Sequence, residues 1–149
     1  MKFVPYLLAL AILTAFFTPA ARAQTTSDRV TITAVLVVAA KTPAKADPRL
    51  TAYETTLRRV LRFESFQQLN KATLDVAIPG SGKLALGSGH RLEIKTEPAE
   101  GQRRVQLSWF DGERALMNTG LVLRPGVPAV LGGPAKGEGE VYAVIVTAD

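Results

Sequence analysis

Cysteine is absent from the 149-residue chain, and histidine and tryptophan occur once each, as His90 and Trp109. Without cysteine there is no thiol nucleophile, no Cys-ligated zinc, no iron–sulfur cluster and no disulfide, so the fold must rest on its core. A single histidine removes any multi-histidine metal site within one chain. No cofactor or metal is expected. A long unbroken apolar run is also missing. The apolar stretch from Phe3 to about Phe17 is interrupted by Pro5 and Thr14, and a comfortable bilayer span needs about 20 residues.

That stretch reads as the core of an export signal. Lys2 supplies a short positive start, Pro19 breaks the helix, and Ala21-Arg22-Ala23 offers the two small residues of an A-x-A cleavage site. Cleavage is expected between Ala23 and Gln24, with an uncleaved anchor as the alternative. No cysteine is available for lipidation, and no twin-arginine pair precedes the apolar stretch. The expected location is therefore periplasmic or secreted. Residues 24–149 form one expected domain of 126 residues, enough for a single core. Lys2 and Arg22 leave with the signal, and the formal charge falls from +5 to +3. This is an ordinary charge for solubility and argues against a nucleic-acid partner.

Val30 to Ala40 carries the strongest strand pattern. Val30, Ile32, Ala34, Leu36 and Val38 share one face. The other face starts with Thr31 and Thr33 and turns apolar at Val35 and Val37. The pattern predicts a central strand or one covered by a helix. After a basic linker, Asp47-Pro48 opens the one predicted helix, with Asp47 as cap and Pro48 at the first position. Leu50, Tyr53, Leu57, Val60 and Leu61 form its apolar stripe, and Glu54 is placed to pair with Arg58.

From Phe63 onward the helical period gives way to short runs separated by glycine. Strands are predicted at Phe63–Phe66, Thr73–Ile78, Lys83–Leu86, Arg91–Thr96, Arg104–Phe110, Glu113–Leu123, Val127–Leu131 and Val141–Thr147. Turns are predicted at Pro79–Gly82, Gly87–Gly89, Glu97–Gly101, Pro125-Gly126 and Asp111-Gly112, the last as a type I′ hairpin. The fold class is mainly β, of α+β type: an antiparallel sheet forming a sandwich or partial barrel, with one amphipathic helix after the first strand.

Chemical motifs are few. Gly80-Ser81-Gly82-Lys83 lacks the first glycine of a phosphate loop, since Ala77 stands there, and Leu84 replaces the magnesium-binding hydroxyl residue. Ser88 and His90 lie close in sequence, but the nucleophile-elbow spacing is missing, and His90 is expected at the surface. The acids Glu93, Glu97, Glu100, Asp111, Glu113, Glu138 and Glu140 are scattered, and no pair is singled out. The expected interaction surface comprises Arg58, Arg59 and Arg62 on the helix together with Trp109 and Phe110. The two aromatics alternate on one strand, so they cannot share a core.

Residues Leu121 to Pro134, reading Leu-Val-Leu-Arg-Pro-Gly-Val-Pro-Ala-Val-Leu-Gly-Gly-Pro, resemble a pattern of outer-membrane secretins. In that pattern a strand leads into a glycine turn, and an apolar strand then ends in Gly-Gly. The chain lacks the length for a pore-forming ring domain plus N-terminal ring modules. The resemblance therefore implies an accessory β-module of the cell envelope, not a channel. The leading expectation is a non-catalytic envelope protein binding another protein or an assembly, with peripheral contact to anionic membrane open and the oligomeric state undetermined. The alternatives are a carrier of a small apolar or lipid ligand, and a hydrolase using carboxylates or a serine.

Overall fold

A computed structural model describes residues 28–149; the predicted export signal and its cleavage site lie outside the described residues. The elements in chain order are β1 (Asp28–Ala40), a 3-10 turn (Pro48–Leu50), α1 (Glu54–Val60), β2 (Ser65–Ile78), β3 (Gly80–Gly87), β4 (His90–Glu97), β5 (Arg103–Asp111), β6 (Arg114–Leu123), β7 (Ala129–Gly137) and β8 (Glu140–Ala148). They form two four-stranded antiparallel sheets packed face to face. One has the order β2-β1-β8-β7 and the other β3-β4-β5-β6. The second sheet is a plain meander. The chain crosses between sheets at Ile78–Gly80 and again between β6 and β7.

β1 lies between β2 and β8, and its two apolar faces are both used. Val30, Ile32, Ala34 and Leu36 enter the core between the sheets, against Leu84, Leu86, Leu92, Ile94, Val105, Leu107 and Trp109. Val35, Val37 and Ala39 point the other way and pack with Leu50, Leu57, Phe66, Ala143 and Ile145. Each buried Val, Leu or Ile contributes about 1.5–3 kcal/mol relative to exposure. β1 carries eight buried apolar residues against five in β8, so it dominates the packing. It is thus both central and covered by the helical segment, the two options its pattern left open.

That helical segment is shorter than the apolar stripe predicts. Asp47 caps a 3-10 turn by accepting from the Arg49 N–H at 3.0 Å, and regular α-helix begins only at Glu54. Leu50 and Leu57 are buried, while Val60 is 51% exposed and leaves the stripe. Tyr53 and Leu61, on either side of the regular helix, still pack against the sheet with Leu50 and Leu57, so Val60 alone turns away. β2 is longer than predicted, since it runs through the polar stretch Gln67–Lys71 without a break. The predicted Pro79–Gly82 turn is instead the start of β3. The Thr96 hydroxyl, on β4, fixes this crossover by donating to the Ala77 carbonyl at 2.7 Å, with the Gly80 carbonyl at 3.2 Å.

The turns follow glycine placement. Arg124-Pro125-Gly126-Val127 closes with Val127 N–H donating to the Arg124 carbonyl, and Gly126 has φ of 72°. Proline second and a positive-φ glycine third is the type II pattern. The β5–β6 turn is shifted from the expected type I′. Asp111 pairs with Arg114, so Gly112 and Glu113 are central, and only Gly112 has positive φ. This is the pattern of a II′ turn. Gly132-Gly133 lies inside β7, which continues to Gly137. Gly133 is required there by space: a Cβ would overlap the indole of Trp109 and sit 3.0 Å from the Tyr142 carbonyl. Gly133→Ala is therefore expected to cost about 1–3 kcal/mol by forcing the indole out of place. Urea unfolding followed by Trp109 fluorescence measures this.

Candidate functional site

The residues expected to form one interaction surface are not brought together. Arg58, Arg59 and Arg62 are exposed on or just after α1, which covers the outer face of the β2-β1-β8-β7 sheet. Arg58 is partly engaged: its Nε and Nη2 both donate to Glu54 Oε1, at 3.1 and 3.0 Å, and its guanidinium lies 5.7 Å from the Phe66 ring centroid. Phe110 is on the opposite side of the molecule. It lies half-buried on the outer face of the other sheet, with Arg91 stacked 4.5 Å above its ring. Trp109 is 0% exposed and belongs to the core between the sheets. It therefore cannot serve as a contact residue on the surface.

His90 corrects a second expectation. It is 3% exposed, and its Nδ1 accepts from the Trp109 indole N–H at 3.1 Å. Its ring centroid lies 4.5 Å from that of Tyr142 on β8. Indole only donates, so Nδ1 must present its lone pair, and a neutral ring then carries its proton on Nε2. His90 thereby satisfies the polar atom that a tryptophan brings into the core. Ser88 is separate from this cluster. It occupies the exposed β3–β4 turn with φ of 54°, beside Gly89 at 82°. Gly87 pairs with His90, so Ser88 and Gly89 are the two central residues of a type I′ hairpin. Replacing His90 by leucine keeps the bulk but orphans the indole N–H. The expected loss is about 1–3 kcal/mol, read by urea unfolding on the Trp109 signal.

The four sheet edges differ. At the β2 edge, Asp47 and Arg49 act as a substitute strand at one peptide. Asp47 Oδ2 accepts from the Gln68 N–H at 3.0 Å, and Arg49 Nη2 donates to the Gln68 carbonyl at 3.0 Å. The two side chains are themselves joined, Arg49 Nη2 to Asp47 Oδ2 at 2.8 Å. The pairing with β1 shifts at this point and Leu69 bulges out. The β7 edge is interrupted by Pro134 and by two register shifts. On the β3 edge, Lys83 places a charge beside Glu93, its Nζ 3.6 Å from Oε1, and the Leu74 side chain of β2 fills the space beside Gly82. These are the devices by which natural sheets prevent strand addition.

β6 has none of them from Met117 to Leu123. This stretch pairs with β5 without interruption and contains no proline and no charged residue. It is the last strand of its sheet. Met117 and Leu121, which face the core, are only partly buried, as are Ala129 and Leu131 across the seam on β7.

Asp47 is 7% exposed as a side chain. Its carboxyl is held well below the usual carboxylate range, first by the Arg49 guanidinium and then by the Gln68 N–H, with burial opposing them. A depressed folded-state pKa stabilises the fold above the unfolded value near 4, and the effect is lost as pH falls through the folded value. Asp47→Asn should accordingly be less stable than wild type at pH 7, with the gap narrowing below about pH 4. Denaturant midpoints at several pH values test this.

Two further recesses are present. One, of about 590 Å³, lies on the outer face of the β3-β4-β5-β6 sheet among Lys83, Glu93, Lys95, Gln106, Ser108 and Asn118. Glu93 faces solvent there as its alternation predicts, and its Oε1 lies 3.2 Å from Arg91 and 3.6 Å from Lys83. The other, of about 900 Å³, is at the pole where β1 starts and β6 ends. Sequence reasoning missed both the Asp47–Arg49 clamp and the open β6 edge, because each depends on which strands end a sheet. The chain matches no protein-family model, and no curated protein or solved structure is significantly similar to it.

Proposed function

We propose that this chain is a non-catalytic cell-envelope module, periplasmic or secreted after removal of residues 1–23, that binds another protein through the β6 edge. The observation that carries the reading is the contrast among the four edges. Three are clamped, interrupted or carry a charge, and β6 is left with seven consecutive uncharged residues at a sheet edge. Strand addition supplies main-chain hydrogen bonds for affinity and alternate side-chain positions for specificity. The half-buried Met117 and Leu121 beside the seam favour a partner strand with apolar residues at every second position. The signal-like N-terminus and the likeness of Leu121–Pro134 to a secretin pattern favour an envelope assembly as the partner. That segment includes the end of β6 itself.

The test uses the mature chain, Gln24 to Asp149, as bait in envelope extract, followed by hydrogen exchange on the captured complex. Thr119→Lys places an inward-facing lysine opposite Leu107 on β6, a device that natural edges use to refuse pairing. The expected result is a partner that slows exchange at the Met117–Leu123 amides. Thr119→Lys should lose that partner, while Ala85→Lys on β3 retains it. A strictly monomeric chain with no such protection, or a complex insensitive to Thr119→Lys, sinks the reading. A β6–β6 homodimer would replace the foreign partner with a second copy.

A further inference from the structure

The cleft of about 900 Å³ draws arginines from three distant parts of the chain: Arg29 on β1, Arg103 on β5 and Arg124 after β6. Asp28 and Glu100 also line it, yet none of these five residues joins an ion pair among the described residues. Arg29 makes one long contact, Nη2 to the Asp75 carbonyl at 3.4 Å. Arg103 is partly buried, and its Nη1 is withdrawn from solvent with no hydrogen-bond partner among the described residues. Withdrawing a guanidinium nitrogen from water without an acceptor is unfavourable, and buried polar atoms in native folds are ordinarily paired. We propose that this cleft is an oxyanion site in which Arg103, Arg29 and Arg124 together hold a phosphate group.

The guanidinium fork matches the oxygen spacing of a phosphate and binds it with charge-assisted hydrogen bonds. Three guanidinia against two carboxylates leave a net charge of +1 at the cleft, which favours an anion over a cation. Arg103 Nη1 is itself closed to solvent, so a phosphate in the cleft gives it an acceptor once the side chain turns outward. The same phosphate chemistry is offered by a lipid headgroup and by a free phosphorylated small molecule. The site is independent of strand pairing on β6, although Val122 and Leu123 at the end of that strand form part of its wall.

Inorganic pyrophosphate, titrated into the mature chain and followed by amide chemical shifts, tests the site. Vesicles of phosphatidylglycerol, with phosphatidylcholine as control, test the lipid source by co-sedimentation. Saturable shifts are expected at Arg29, Arg103 and Arg124. They should weaken about tenfold or more in Arg103→Gln, the scale of one lost charge-assisted hydrogen bond. Arg124→Gln, at an exposed turn, should act likewise if Arg103→Gln fails to fold. Arg59→Gln on α1 should change nothing. Pyrophosphate binding accompanied by vesicle binding, both weakened by Arg124→Gln, supports a headgroup source. Pyrophosphate binding alone supports a free phosphate. The proposal is overturned if pyrophosphate gives no saturable shift at these amides, or if Arg59→Gln weakens binding as much as Arg124→Gln.

Discussion

Burial of β1 on both faces is the constraint around which the molecule is arranged. A strand apolar on each side needs a layer above and a layer below, and its main chain needs a partner at each edge. The β3–β6 meander supplies one layer, and the short 3-10 and helical segment supplies the other. β2 and β8 supply the partners. The sandwich follows from these four requirements. With β1 inside its sheet, β7 becomes the outer strand on the side where β6 ends the opposite sheet.

The parts of this arrangement that depend on local pattern were legible in the sequence. β1 announces its two apolar faces, β4 alternates with Leu92 and Ile94 inward, and β5 puts Val105, Leu107 and Trp109 on one face. The turns at Ser88-Gly89 and Pro125-Gly126 are marked by glycine. What escaped is what depends on neighbours. Gln67 to Lys71 looks unlike a strand because an edge strand beyond the core needs no apolar alternation. His90 looks like a surface residue because its burial is justified only by an indole on the adjacent strand. Trp109 and Phe110 were rightly assigned to opposite faces, but alternation alone does not say which face is the core.

The candidate sites were less legible than the fold, for a related reason. Edge character belongs to a sheet order, and no run of residues encodes it. Glu113 to Leu123 reads as an ordinary strand until the sheet order leaves its far side without a partner strand among the described residues. The cleft is harder still. Arg29, Arg103 and Arg124 are dispersed along the chain, and only the closing of the sandwich gathers them at one pole. The basic residues that do cluster in sequence, Arg58, Arg59 and Arg62, lie on a helix face where solvent screens them.

The pairing of β1 with β8 has a kinetic consequence. Ala34 meets Val146 across about 110 residues of intervening chain, so β1 is the first of the described strands in chain order and gains its second neighbour only from the last of them. Contacts of such long span are slow to form because loop closure precedes any reward from packing. Until the C-terminal strand arrives, one edge of the most apolar segment stays open.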